Sequence, residues 1–232
     1  MKTWIGTSGF QYKEWKGSFY PEKLSLPKML TFYATVFNST EINYTFRSLP
    51  SDKTIARWSE ETPDDFRFSL KAPQRVTHFA KLRKCGDAMN EFRQAVKGLG
   101  KKLGPVLFQL PETFKGDAVL LSEFLASLPK GLPAAFEFRH ESWFTDEVFE
   151  ALAAKNAALC LAESEELTTP RVVTADFGYL RLRRDKYTDK EIRDWADFIQ
   201  AQEWPETFAY LKHEDTAAGT GFAKKLMAKL ED

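Results

Sequence analysis

The chain has 232 residues, 43% of them hydrophobic and 14% aromatic, so it can bury one large core without disulfides or structural metal ions. Its 33 basic and 33 acidic side chains cancel, which gives nucleic acid no support as a partner but leaves that class open. Because no Pro/Gly/Ser-rich linker or charge block divides the sequence, one domain over residues 1–232 is predicted.

Eight short apolar or alternating runs predict β-strands, and each is followed by a helical or helix-like segment. In chain order they are TWIGTSG from Thr3, FNSTEIN from Phe37, FRFSLKA from Phe66, GPVLFQL from Gly104, AAFEFRH from Ala134, AALCLAE from Ala157, FGYLRLR from Phe177 and FAYLKHE from Phe208. The clearest helix lies in TDKEIRDWADFIQA, where Thr188 and Glu191 form a capping box before an apolar face.

Eight strand–helix units in fewer than about 250 residues predict an α/β fold of the TIM (β/α)8 barrel type. An open doubly wound sheet is the rival, but GTSGF after the first strand is no GxGxxG motif. The segment SEELTTP after the sixth strand has room for only one helical turn, so the predicted barrel is somewhat irregular.

Cellular location follows from what the sequence lacks. The start MKTWIGTSGF has no apolar signal-peptide core, and no apolar run approaches the roughly 18–20 residues that a membrane span needs. Cys85 and Cys160 lie far apart without CxxC spacing, so two reduced thiols are expected. The sequence predicts a soluble, cytoplasmic protein without a membrane partner.

The fifth strand, AAFEFRH, carries two charges inside an apolar run. Phe136 and Phe138 point to one face of a period-2 chain, and Glu137 and Arg139 therefore point together to the other. In a barrel the apolar set faces the helices, which puts the charged pair inside, near the strand ends where such folds place their sites. The same alternation adds further polar residues to this interior mouth: Glu41, Asn43, Lys71, Gln109, Arg181 and Lys212.

These eight residues comprise four cations and two carboxylates, a local excess of about two positive charges. A small anionic ligand, phosphorylated or carboxylated, is the predicted complement. The predicted anion contacts are Lys71, Arg139, Arg181 and Lys212. Asn43 and Gln109 would orient groups of the ligand. The competing interpretation is a salt-bridge network that fills the barrel and binds nothing.

The three histidines, His78, His140 and His213, all fall just beyond predicted strand ends. Because histidine titrates near neutrality, three at one rim suggest acid/base chemistry, although each could instead cap a strand end. Glu41, Glu137 and His140 are the predicted catalytic residues, and His78 and His213 are predicted to bind substrate. Aromatic side chains near strand ends, Trp15 and Trp143 among them, are predicted to contact the ligand as well.

The same residues could support other chemistries. Glu41 and Glu137 with a histidine could hold a divalent ion, but the neighbouring cations would repel it, so no metal site is predicted. Paired acids are also typical of glycoside hydrolases. That reaction needs one carboxyl group with a raised pKa, whereas the neighbouring cations would lower the pKa of both. Lys71 could be a Schiff-base amine, since cationic neighbours lower a lysine's pKa, or simply an anion-binding lysine. Whether the protein uses a cofactor is unknown from sequence.

Five motifs in order resemble the DUF72 (YecE-like) family, whose members look like TIM barrels. They are TSGFQYKEWKGSFYPEKL, FNSTEINYTFRSLP, FRFSLKAPQRVTH, PVLFQLPETF and FEFRHESW. The resemblance runs from about Trp4 to the C-terminal helix, and it implies the fold but no reaction. Two segments depart from the family pattern: YLRLRR, with Arg183 and Arg184, stands for YVRLHG, and YLKHE, with Lys212 and His213, stands for YFNND.

Three functions remain as hypotheses. The leading one is an enzyme, of hydrolase, lyase or isomerase type, acting on a small anionic substrate at the barrel mouth. The second is a nucleic-acid or phosphodiester binder, with or without a metal. The third is a non-catalytic ligand sensor. Fold alone does not choose between them, and the oligomeric state is unknown from sequence.

Overall fold

In the computed structural model, which describes residues 1–164, 167–212 and 216–231, the chain forms nine strand segments and seven α-helices. The strands are β1 (Lys2–Thr7), β2 (Ser39–Ile42), β3 (Arg67–Lys71), β4 (Leu103–Gln109), β5 (Ala134–Glu137), β6 (Ala158–Leu159), β7 (Leu161–Glu163), β8 (Phe177–Leu182) and β9 (Glu206–Leu211). The helices are α1 (Met29–Tyr33), α2 (Asp52–Glu60), α3 (Gly86–Val96), α4 (Ala118–Ser127), α5 (Asp146–Ala153), α6 (Asp189–Gln200) and α7 (Ala218–Glu231).

The strands form two parallel sheets, in the orders β2-β3-β4-β5-β6 and β1-β9-β8-β7. The two sheets adjoin on one side because β6 and β7 are two parts of one strand, separated by Cys160. On the other side β1 and β2 come together at a parallel bridge between Ser8 and Glu41. The strands thus follow one another in cyclic order, which is the connectivity of a (β/α)8 barrel, and the predicted α/β fold class is confirmed.

Side chains connect β1 to β2. Asn38 accepts a hydrogen bond from the backbone of β1 at 2.9 Å and donates one back to it at 2.8 Å. The Tyr33 hydroxyl accepts from the Thr7 N–H at 2.7 Å and donates to the Ser39 carbonyl at 3.0 Å. These side chains satisfy backbone groups that a regular ladder would otherwise pair.

The predicted alternation of strand residues is confirmed. One large buried cluster contains helix residues together with the strand residues predicted to face them: Ile42, Phe66, Phe68, Leu70, Val106, Phe108, Phe136, Phe138, Leu180, Leu182 and Leu211. A second buried cluster takes the alternate strand positions, including Trp4, Leu107, Ala135, Tyr179 and Tyr210. Along each parallel strand, these apolar positions come before the inward polar residues near the carboxyl end. The inner apolar cluster therefore lies towards the amino ends of the strands, and the polar mouth lies at their carboxyl ends.

The irregularity predicted after the sixth strand is present. Residues 167–176, between β7 and β8, contain no helix, and Thr168 instead pairs antiparallel with Glu163. Two residues of SEELTTP, Glu165 and Glu166, lie outside the described residues. The capping box at Thr188 is formed as predicted and begins α6. None of the described helices has the length and apolar content that crossing a bilayer requires.

Candidate functional site

One arginine joins two buried carboxylates at the carboxyl ends of the strands. Glu41 of β2 and Glu137 of β5 have no exposed surface, and Arg181 of β8 is 2% exposed. The Arg181 guanidinium donates from Nη2 to Glu41 Oε1 at 2.8 Å and from Nη1 to Glu137 Oε2. Alternation along the strands turns all three side chains inward, as predicted, and Arg181 is the shared counter-ion of both acids.

Each of the two carboxylates has further partners. Glu41 accepts from the Ser8 hydroxyl and, at 2.8 Å, from the Tyr179 hydroxyl. Glu137 accepts from Gln109 Nε2 at 2.9 Å and contacts Arg139 Nε. Burial raises the pKa of Glu137, but the charges of Arg181 and Arg139 outweigh burial and hold the pKa at about 2. Glu137 is therefore an anion at neutral pH.

This depressed pKa predicts how stability depends on pH. Since the pKa of Glu137 falls from 4.5 to about 2 on folding, its stabilising contribution is complete above about pH 4.5 and is lost as pH falls towards 2. As pH is lowered between these limits, the free energy of unfolding is expected to decrease more steeply in the wild type than in Glu137→Gln. The two slopes should differ by up to about 1.4 kcal/mol per pH unit. Urea denaturation at several pH values measures both slopes. Glu123→Gln, an exposed residue of α4, should keep the wild-type slope, and equal slopes in wild type and Glu137→Gln would contradict the assignment.

Lys71, at the end of β3, has a different environment from the arginines. Its Nζ donates to Gln109 Oε1 at 2.6 Å and lies 4.1 Å from the centroid of the Phe46 ring. Burial and then the charge of Arg181 lower its pKa to about 8. The predicted ligand residue His78 packs on the same Phe46 ring, with centroids 4.8 Å apart, and burial and the charge of Lys71 lower its pKa.

Arg183, one of the residues at which the sequence departs from the family pattern, also belongs to this mouth. Its Nη1 lies 3.8 Å from Glu137 Oε1. Its Nε and Nη1 are buried, yet neither has a hydrogen-bond acceptor among the described residues. Asn43, predicted for this site, has a buried Oδ1 that accepts no hydrogen bond from any described residue. The alternation that turns Tyr179 and Arg181 inward extends to Arg183 and could have identified it.

Three predicted site residues make structural contacts. His140 accepts at Nδ1 from the Ser142 N–H at 3.1 Å and so caps the 3-10 helix Glu141–Trp143, which was the alternative considered for these histidines. Trp143 is fully buried, stacked on Phe138 at 4.7 Å. Trp15 is 1% exposed and packs among the other aromatic residues of the loop after β1. Since neither indole presents a face to a ligand, we leave both, with His140, out of the proposed site.

The last two predicted residues follow β9. The Lys212 backbone N–H donates to the Leu182 carbonyl at 3.1 Å, and the Lys212 side chain is half-buried. His213 lies outside the described residues. No group of three or more His, Cys, Asp or Glu side chains in the described part of the chain is arranged to hold a metal ion.

The side chains that the structure connects at the mouth carry an excess of positive charge. Lys71, Arg139, Arg181 and Arg183 face two carboxylates, Glu41 and Glu137, which leaves two cations in excess among the described residues. The prediction counted Lys212 as the fourth cation, whereas Arg183 is the fourth cation among these contacts. Arg181 is neutralised by direct pairing, whereas the polar and ring contacts of Lys71 Nζ within the described residues are one amide and one aromatic ring.

A family model described as "Protein of unknown function DUF72" matches residues 4–232. The chain belongs to the DUF72 family. Over 113 residues, this DUF72 chain is 40% identical to the UPF0759 protein YecE of Escherichia coli K12, covering 48% of this chain and 42% of YecE. It is 30% identical over 155 residues to the UPF0759 protein YunF of Bacillus subtilis, covering 63% of this chain and 54% of YunF. The matched segments thus span less than half of YecE and just over half of YunF.

Solved structures of the family have the same fold as this DUF72 chain. A DUF72 family protein from Thermotoga maritima superposes with a TM-score of 0.89 at 25% identity, over 100% of both chains. One from Enterococcus faecalis superposes with a TM-score of 0.81 at 18% identity, over 99% of this chain and 96% of the other. The family description names no reaction, so chemistry must be argued from the mouth itself.

Proposed function

We propose that this DUF72 protein is an enzyme that binds a small anionic substrate, phosphorylated or carboxylated, at the mouth formed by Glu41, Lys71, Gln109, Glu137, Arg139, Arg181 and Arg183. The observation that carries the proposal is the pair of buried, unpartnered guanidinium nitrogens of Arg183.

Buried donors without acceptors are costly, about 1–3 kcal/mol each and more when the group is charged. Glu137 does not satisfy these donors, because Arg183 Nη1 lies 3.8 Å from Glu137 Oε1, beyond hydrogen-bond distance. A phosphate or carboxylate oxygen would satisfy the Arg183 donors and offset the excess positive charge.

The proton-transferring group in this proposal is Lys71, in place of Glu137 and His140. With a pKa of about 2, Glu137 does not hold a proton to donate at neutral pH. His140 Nδ1 accepts from the Ser142 N–H, so only its Nε2 is left to carry a proton. Lys71, with a pKa of about 8, exchanges a proton close to physiological pH, where acid/base catalysis is most effective.

The interpretation as a purely structural salt-bridge network accounts for part of the mouth. It accounts for Arg181, which forms ion pairs with Glu41 and Glu137, and for Arg139, which pairs with Glu137. It does not explain why two donor atoms of Arg183 are buried without acceptors, or why Lys71 is held against an amide and a phenyl ring. These two side chains favour a ligand site.

The test is thermal unfolding with inorganic phosphate and with malonate, at constant ionic strength set by potassium chloride. Both anions are expected to raise the melting temperature of the wild type, because a ligand of the native state stabilises it by about 2.7 kcal/mol at one hundred times its Kd. Arg183→Met is expected to lose this response, while Arg193→Met, an exposed residue of α6, keeps it. No response in the wild type, or an unchanged response in Arg183→Met, would refute the anion site.

A further inference from the structure

We propose that Lys71 is a nucleophilic amine that forms an imine with its substrate, so that the substrates are small anionic aldehydes or ketones. This inference deepens the proposed function and rests on it, because Arg183 and Arg139 would still hold the anionic group. It changes the role of Lys71 from proton transfer to attack on the carbonyl carbon, and it gives proton transfer to His78.

The amine is positioned by a chain of two hydrogen bonds. Gln109 Nε2 donates to Glu137 Oε1 at 2.9 Å, which orients the amide so that Gln109 Oε1 accepts from Lys71 Nζ at 2.6 Å. The Phe46 ring covers Nζ at 4.1 Å from its centroid. One hydrogen bond and one aromatic face hold the nitrogen, so two of the three ammonium donors have no acceptor among the described residues.

A second buried lysine of the same chain shows what a structural ammonium looks like. Lys102 is 7% exposed, and its Nζ donates to the Ser59 carbonyl at 2.6 Å, the Thr62 carbonyl at 2.7 Å and Thr62 Oγ1 at 3.3 Å. Three acceptors match the three donors of an ammonium. Lys71 has one neutral acceptor and, within the described residues, no carboxylate within salt-bridge distance.

The electrostatics of the mouth increase the neutral fraction of Lys71 relative to an ordinary lysine. Burial and the charges of Arg181 and Arg139 lower its pKa to about 8, while the two glutamates oppose this shift. A lysine with a pKa of about 8 has a neutral fraction roughly two orders of magnitude above that of an ordinary lysine at neutral pH. Desolvated lysines beside other cations are the ones that proteins use for imine chemistry.

The reaction balances with groups of the mouth and water. The Nζ lone pair forms the C–N bond, the carbonyl π pair moves to oxygen, and a proton passes from nitrogen to that oxygen to give a carbinolamine. Protonation of the hydroxyl expels water, and the nitrogen lone pair closes the C=N bond. In this proposal His78 protonates the carbinolamine hydroxyl. Its ring packs on the same Phe46 ring as Lys71, and the charge of Lys71 lowers its pKa.

The experiment traps the imine on the full chain. The protein is incubated with glyoxylate and sodium cyanoborohydride, which reduces the C=N bond to a secondary amine, and the modified lysines are identified by peptide mass spectrometry. Occupancy at Lys71 is expected to exceed that at Lys190, a lysine on the exposed surface of α6, by about tenfold or more. Lys71→Arg, which keeps the charge, should abolish adduct formation at this position without loss of circular dichroism signal. Occupancy at Lys71 no higher than at Lys190 would overturn the proposal.

Two further measurements test the imine and the anion site independently. Phosphate should protect Lys71 from glyoxylate, and propanal, an uncharged aldehyde, should react with it less. Equal reaction with both aldehydes and no protection by phosphate would support the amine but refute the anion site. A melting-temperature response to phosphate without enrichment of the Lys71 adduct would keep the anion site and refute the imine.

Discussion

Replacing Arg181 with methionine is expected to lower the free energy of unfolding by about 3–5 kcal/mol. The substitution leaves Glu41 and Glu137, both without exposed surface, buried without their shared counter-ion. Methionine retains most of the side-chain volume, so loss of charge rather than loss of packing dominates the effect. Urea denaturation at pH 7, monitored by circular dichroism, measures it.

Two comparisons make this measurement specific. Arg57 pairs with Glu61 at 3.9 Å but is 45% exposed, so Arg57→Met should change stability by no more than about 1 kcal/mol. Removing both acids as well, by adding Glu41→Gln and Glu137→Gln to Arg181→Met, should recover a large part of the loss, because no unpaired buried charge then remains. A loss below about 1 kcal/mol in Arg181→Met alone would show that Arg181 does not neutralise the two acids.

Gly6→Ala is the second large effect, with an expected loss of about 3 kcal/mol or more. Gly6 lies in β1 where that strand approaches β2, and a Cβ there would fall far inside van der Waals contact with the Ser39 carbonyl oxygen. It would also collide with the Tyr33 hydroxyl, which connects the two strands. Since the first obstacle is backbone, only separation of β1 from β2 relieves it. Thermal and urea denaturation both measure the loss.

The matched control is Gly221→Ala in α7. Nothing lies within 4 Å of a Cβ at Gly221, and the residue is exposed within a helix. Alanine there should raise stability by about 0.5–1 kcal/mol, through helix propensity alone. If Gly6→Ala matched this control, the close approach of β1 and β2 would not be a requirement of the fold.

Interior-facing residues were predictable wherever a strand alternates. Glu41, Lys71, Gln109, Glu137 and Arg181 were all placed inward from sequence, and the contacts of these side chains agree. The capping box that begins α6 was predictable for the same reason, since it depends on residues three apart in the chain. Arg183 was overlooked although it continues the same alternation beyond the end of β8.

Individual roles were less predictable, because they depend on neighbours that are distant in the chain. Whether His140 carries protons or caps a turn depends on its contact with the Ser142 N–H, and both alternatives fitted the sequence. Trp143 was expected near a ligand because it follows a strand, but the packing of Phe138 and Phe114 around it leaves no surface exposed. Aromatic residues near strand ends serve the core as readily as a site.

The sequence by itself determined the α/β fold class, the inward polar face of the strands and the excess of positive charge at their ends, because side-chain alternation is a local property of extended backbone. Only the tertiary structure decided which charges neutralise each other. Glu41 and Arg181 are separated by 140 residues, and Glu137 and Arg181 by 44, yet they meet because parallel strands bring their carboxyl ends to one mouth. Interaction between charges depends on distance in space and on burial, and neither is determined by position along the chain.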